Sequence, residues 1–350
     1  MKVKIVTLFC LIIIFSSPSY AQPGGNTPYQ FLNLPISARV TALGGNLISV
    51  RDNDLNVALH NPSLLTDSMN NNVALSFINY FAGVKYGYAA LGKHLKKGGN
   101  CSAGLYYLDY GKMKQTDATG DVLGVFGAIE LSFNLSYAHS VIDSNFSIGV
   151  DLKTIYSAMD SYTSLATAID FGATYYNPKT NFGLAAAVKN VGRQWISYRD
   201  GNRESLPFEI QLGTSYKLKK FPLRLSIVYQ NIEKWDLTYN DPATPYVIDP
   251  STGEIIEENK YKAFGDKLMR HLVIGGEFAI TKNLFARVGF NYKRREEFKS
   301  GASIGFAGIT YGLGLKLYKF HLSYGRANYL LAGATNTVSL SFDINSFYSR

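Results

Sequence analysis

The chain has 350 residues, of which 46% are apolar and 14% aromatic; only 17% are charged, against about 25% for an ordinary soluble domain. This apolar content excludes a disordered chain, and the formal charge of +9 is scattered through turns rather than gathered as a nucleic-acid-binding stripe. Two cysteines exclude a disulfide scaffold, while 25 Tyr and 21 Phe favour strands over helices.

Residues 1–21 read as a secretory signal peptide. Lys2 and Lys4 form a basic start, Ile5 to Phe15 an apolar run, and Ser19-Tyr20-Ala21 a small-x-small cleavage site before Gln22. Thr7-Leu8-Phe9 ahead of Cys10 is not a lipobox, and removal of the leader leaves Cys101 without an intramolecular partner. No later stretch supplies about 18 consecutive apolar residues, so a membrane helix is not expected. The choice is between a soluble exported protein and an outer-membrane β-barrel.

Residues 22–72 form the segment ahead of the barrel, and 26–72 do not alternate. Ser37-Ala38-Arg39 opens a short helix with Ser37 as N-cap, and Gly44-Gly45 stops it. Asp54 to Leu59 forms a second helical turn closed by Asn61-Pro62. A segment of this kind ahead of a barrel either plugs the lumen or hangs free; the helix and the glycine pair favour a hatch.

Residues 73–350 read as the barrel. Strands are predicted at 73–80, 84–94, 100–110, 128–141, 145–157, 163–176, 181–190, 207–218, 221–233, 270–280, 283–293, 306–317, 319–327 and 334–344. They number fourteen, even as single-chain bacterial barrels require. Leu223, Leu225, Ile227 and Tyr229 share one face, Arg224 and Ser226 the other; Phe146, Ile148, Val150 and Leu152 alternate with Ser147, Gly149, Asp151 and Lys153. One face is apolar and the other Gly, Ser and charge, over lengths that suit a tilted bilayer crossing better than a sandwich. Asp151, Lys153, Asp170, Lys189, Glu209, Arg224, Glu277 and Arg287 fall on the polar phase and are expected to face the lumen. Their mixed signs favour a self-satisfying network that grips the hatch over a path for a charged solute. Connections after even strands are short, whereas 111–127, 191–206, 234–269 and 294–305 follow odd strands. That parity is the periplasmic/extracellular asymmetry of such barrels and places both chain ends on the short-turn side.

The opening of the hatch carries a distinctive pattern: Phe31-Leu32-Asn33-Leu34-Pro35-Ile36-Ser37-Ala38-Arg39, then Ala42-Leu43-Gly44-Gly45, Arg51-Asp52-x-Asp54 and Asn61-Pro62-Ser63-Leu64-Leu65. It resembles the PorV/PorQ family of type IX secretion outer-membrane proteins, within the FadL-like barrels, and its length and its ending soon after the last strand are most similar to the PorQ branch. The resemblance implies an all-β transmembrane barrel of about fourteen strands with an N-terminal hatch. It also implies a non-catalytic anchor that holds a PorZ-like surface protein in an attachment complex with PorU and PorV. A FadL-like transporter of hydrophobic compounds and a PorV-like cargo shuttle are the alternatives. Phe342 is followed by Asp343 to Arg350, so the chain departs from the usual barrel ending on an aromatic residue.

Sites for chemistry are not apparent. Gly87 to His94 approaches a P-loop but ends in His where Ser or Thr must hold magnesium. Gly301-Ala302-Ser303-Ile304-Gly305 has nucleophile-elbow spacing without a following helix. Asp52, Asp54 and Asn56 mimic a calcium loop, yet Val57 stands where Gly is needed and Ser63 where Glu is needed. The five histidines show no helical ligand spacing, so no cofactor, metal or nucleic-acid partner is expected beyond membrane lipid. The longest connection, 234–269, carries Trp235, Tyr239, Tyr246 and Tyr261 among Pro242, Pro245 and Pro250, and is expected to dock an extracellular partner.

Overall fold

Alternation of period two closes on itself. The computed structural model describes residues 27–96, 98–142, 145–238, 260–297, 306–330 and 333–348. Its strands are β1 (Asn72–Asn79), β2 (Lys85–Leu95), β3 (Gly99–Thr116), β4 (Val122–Ile142), β5 (Phe146–Met159), β6 (Tyr162–Asn177) and β7 (Phe182–Ile196). There follow β8 (Glu209–Lys217), β9 (Leu223–Tyr229), β10 (Leu272–Ala279), β11 (Leu284–Asn291), β12 (Ile309–Leu317), β13 (Phe320–Leu330) and β14 (Gly333–Asp343). Each pairs antiparallel with its sequence neighbours, and β1 meets β14 in the register Val73 to Phe342, giving a closed barrel of fourteen strands. Within the ring of the wall, closure pairs every strand on both sides.

The side-chain phase follows the apolar–polar alternation. Leu225 is 43% exposed on the outer face and Ser226 only 5% on the inner one. Leu75, Phe133, Leu152, Leu184 and Leu313 continue the outer apolar surface around the wall. An apolar surface of that extent does not suit water and is the outward face of a lipid-embedded barrel.

Two strands run further than alternation foretells. The segment 111–127, expected as a loop, instead prolongs β3 and β4 until Thr116 pairs with Val122. Gly111, at φ 74°, sits in a register shift between Asp109 and Lys112, which breaks the period-two phase. Beyond it Val122, Leu123 and Val125 are all exposed, so no face is distinguishable by polarity. Likewise β7 continues past 190 to Ile196. Asn190, at φ 58°, forms a bulge that buries Lys189 and Asn190 in succession and flips the phase thereafter.

Three connections are long, 197–208, 230–271 and 292–308, and all follow odd strands. Three short helices, α1 (Ala38–Ala42), α2 (Lys260–Arg270) and α3 (Tyr292–Glu297), lie in the hatch and on the long-loop rim; α4 (Asn345–Tyr348) follows β14. The stretch 234–269 is therefore not loop throughout: its end is α2, where Tyr261, Phe264 and Leu268 repeat at helical spacing. Residues 1–26, which include the expected leader, lie outside the described residues, as do Tyr239, Tyr246, Pro242, Pro245, Pro250 and the Gly301–Gly305 stretch.

Candidate functional site: hatch and lumen

Residues 29–71 fill the lumen, their turns set by capping side chains. Ser37 Oγ accepts from Val40 N at 3.3 Å to open α1. Asp54 Oδ1 accepts from Asn56 N, and Asn61 Oδ1 from Ser63 N, each at 3.1 Å, opening two single 3₁₀ turns, with Pro62 at the first position of the second. Gly44 and Gly45 take φ of 94° and 90° and turn the chain after α1.

The hatch reaches across the barrel. α1 leans on β11 to β14, and the Pro62–Leu64 turn leans on β4 to β6. Glycines on the inward phase permit this closeness. A Cβ on Gly149 would overlap the Pro62–Ser63 backbone, and one on Gly325 would overlap Ala38. Hydroxyls supply the bonds between: Ala38 N donates to Ser339 Oγ at 2.8 Å, Gly44 N to Thr310 Oγ1 at 3.0 Å, and Ser215 Oγ to Ser49 O at 2.9 Å.

The hatch motif and the wall charges meet in one ionic hub. Arg39, on α1, donates Nε to Glu277 Oε2 at 2.9 Å and Nη2 to Glu277 Oε1 at 3.0 Å. Its Nη2 also reaches Asp52 at 2.8 Å and its Nη1 Asp54 at 3.2 Å. Arg224 bridges Asp52 at 3.0 Å and Glu277 at 3.1 Å, while Arg287 reaches Glu277 at 2.8 Å. Three arginines thus balance three carboxylates. Burial works against the Arg39 charge, but Asp52, Glu277 and Asp54 outweigh it and hold the guanidinium above its ordinary range. Burial raises the Asp52 pKa less than Arg39 and Arg224 lower it, so its carboxyl lies below the usual carboxylate range. These contacts hold Asp52 and Asp54 to arginine.

A second group lies across the lumen. Lys153 and Asp170 pair at 2.6 Å, both essentially inaccessible. Asp170 also accepts from Asn190 N at 2.7 Å, while Asp151 accepts from Ser136 at 2.6 Å and Asn134 at 3.0 Å. Lys189 stands opposite Glu209 in the β7–β8 register, both buried. Toward this group projects His60 of the hatch, whose pKa burial and the fields of Lys189 and Lys153 push well below the ordinary value. Its Nε2 has no hydrogen-bond partner among the described residues. All eight lumen-phase charges therefore lie inside the barrel, in two groups rather than one. Glu130, buried and accepting from Tyr110 at 2.8 Å, shares the inner face without appearing in the alternation argument.

Toward the long-loop end the lumen becomes apolar. The Phe31 ring packs tilted against Tyr106 at 5.1 Å, Tyr106 likewise against Tyr86 at 5.9 Å, and Ile78, Leu108, Ile155 and Leu206 join the cluster. The hatch contributes Tyr29, Phe31, Leu32 and Ile36. Tyr86 OH donates to Pro35 O at 3.1 Å, and Tyr29 OH bonds Ser164. Ser164 lies near the long-loop end of β6, so the described chain starts there and not on the short-turn side. The reason is packing: the aromatic N-terminal stretch buries itself in the apolar half. The signal in the sequence is Tyr86, Tyr88, Tyr106 and Leu108, apolar residues on a phase otherwise given to Gly and Ser.

On the rim, Trp235 packs on Phe264 of α2 at 5.4 Å and on His271 at 5.8 Å, while Tyr261 is 90% exposed.

No protein-family model and no curated protein matches the chain. Solved structures are similar in fold. The Ralstonia pickettii toluene transporter TbuX aligns at TM-score 0.51 with 12% identity, over 89% of this chain and 98% of that one. The P. putida toluene transporter TodX aligns at TM-score 0.53 with 10% identity, over 89% and 99%. A TodX deletion mutant, described as a monoaromatic hydrocarbon channel, aligns at TM-score 0.53 with 10% identity over 88% and 99%.

Proposed function

We propose that the chain is an outer-membrane barrel that takes up small hydrophobic compounds from the long-loop side and passes them past a hatch. The observation that carries this reading is the two-part lumen. An apolar, aromatic half faces the long loops, and the chain's own Phe31, Leu32 and Ile36 occupy it as side chains of the kind such a compound would replace. A water-conducting porin has a polar lumen throughout. The fold shared with toluene transporters supports the same reading. The ionic hub sets the resting position of the hatch.

The test is uptake of a labelled monoaromatic hydrocarbon by cells whose outer membrane lacks such a transporter. Expression of the intact protein is expected to give saturable uptake, and Phe31→Asp to abolish it while the barrel retains heat-modifiable gel mobility. Uptake no higher than in cells without the protein would sink the reading.

A second reading is favoured by the exposed aromatics of α2, Tyr261 and Phe264. In it the barrel anchors a surface complex, as the resemblance to the PorV/PorQ family implies, with a PorZ-like protein held at the long-loop rim alongside PorU and PorV. Replacing 238–262 by a short Gly-Ser link leaves the wall strands intact. Release of a surface protein into the medium is the outcome this reading requires, and unchanged retention removes it.

A further inference from the structure

At the short-turn end, between the hatch and β8 to β14, lies a cavity of about 540 Å³. Six cationic side chains and three carboxylates line it. The carboxylates are Asp52, Asp54 and Glu277, already bound by the three arginines of the hub. The remaining cations are Lys217, Lys282 and Lys316, and none of them forms an ion pair among the described residues. Three positive charges are therefore left over at one mouth.

Their placement is not that of ordinary rim lysines. Lys217 continues the inward phase of Gln211, Gly213 and Ser215 on β8. Lys316 continues the inward phase of Thr310, Gly312 and Gly314 on β12. A lysine on a wall strand needs only the outward phase or the turn to reach water or lipid headgroups; these two turn toward the cavity. Lys316 Nζ is drawn over the Phe285 ring at 5.3 Å, and Phe285, on the inward phase of β11, gives the cavity an apolar side. Ser323, Ser339 and Ser341 add hydroxyls that can donate to an oxyanion.

We propose that this cavity binds a multiply charged organic oxyanion, with phosphate-ester or pyrophosphate chemistry, through Lys217, Lys282 and Lys316. Three unpaired ammonium groups call for two or more negative charges, which phosphate supplies and a single carboxylate does not. The apolar side accommodates the organic part. The inference does not rest on passage of hydrophobic compounds, since the residues it uses lie beyond the hub from the apolar half.

The experiment is a calorimetric titration of the full-length protein, in nanodiscs of zwitterionic lipid at low salt, with inorganic pyrophosphate. One saturable site is expected. The double substitution Lys217→Gln/Lys316→Gln should weaken it about tenfold or more, the scale of lost hydrogen bonds to a charged group. Lys96→Gln/Lys179→Gln removes the same charge from turns outside the cavity and should leave affinity unchanged. Heat-modifiable gel mobility verifies that both variants fold. Nanodiscs containing phosphatidic acid, a phosphate-monoester lipid, distinguish the source: weakened pyrophosphate binding marks a lipid headgroup as the occupant, and unchanged binding a soluble anion. No saturable binding, or equal loss in both double variants, overturns the proposal.

Discussion

Arg39 and Glu277 face each other as two parallel hydrogen bonds, 2.9 and 3.0 Å long, joining a hatch helix to a wall strand 238 positions away. This fork-to-fork geometry is the strongest form of the pair, and the other two carboxylates complete the guanidinium's bonding. Removing one partner of a buried pair costs about 3–5 kcal/mol, because the other is left charged and uncompensated. Arg39→Ala is expected to weaken hatch docking on that scale while the closed strand ladder persists. Single-channel recording is expected to show frequent openings in the variant and a nearly closed intact protein; equal conductance in the two refutes the hub as the fastening.

The glycine contacts predict a second way to unseat the hatch without touching a charge. Gly325→Val adds a side chain where Ala38 lies, and Gly149→Val one where Pro62 lies. Both substitutions suit a strand by propensity, so barrel stability should hold. Limited proteolysis should then cut the hatch in the variants only. A resistant hatch in both shows that the wall flexes to accept the side chains.

The outer phase predicts an asymmetry in the wall. Leu225→Arg places a charge on the lipid face and should cost about 2–4 kcal/mol in a denaturant titration in lipid. Leu225→Phe should cost little. Ser226→Arg is a different experiment, because the inward side chain would meet Leu43 of the hatch through the neighbouring Gly275 site. It should open the lumen rather than unfold the wall. Similar destabilisation from Leu225→Arg and Leu225→Phe excludes the assigned phase.

Acid should loosen the hatch in two stages. The His60 pKa is lowered in the docked hatch by burial and by Lys189 and Lys153. Below the ordinary histidine value of about 6.5, a released His60 takes up a proton that the docked one refuses, so docking weakens as pH falls through that value. Asp52 is lowered too, through Arg39 and Arg224 against the opposing effect of burial. Its contribution is present above the ordinary carboxylate value of about 3.9 and is lost as pH falls below it toward the docked pKa. Hatch protection measured by hydrogen exchange should therefore fall in two steps, and His60→Gln should remove only the upper one.

The wall was legible because a side-chain period of two leaves its mark on every strand that has one wet and one apolar side. It ceased to be legible at Gly111 and Asn190, where a bulge shifts the phase by one residue. The first two hatch turns could be read from Ser37 and Asp54, whose side chains cap the residues just after them, whereas Asn61, expected to close the second turn, instead opens a third at Pro62–Leu64. That Arg39 bonds Glu277 could not, since nothing local in either strand or helix encodes a partner so far along the chain. α2 was hidden among prolines and tyrosines, though Tyr261, Phe264 and Leu268, with the Asp266–Arg270 pair at 2.7 Å, carry its helical spacing.

The hatch runs without a break into β1 at Asn72, after Met69 and Asn70 have turned against β2. A plug tethered in this way cannot be lost by dilution. Once displaced, it faces its own binding surface at an effective concentration on the order of millimolar, the value for a short flexible tether. Reclosure is then a unimolecular event, independent of how many copies the membrane holds.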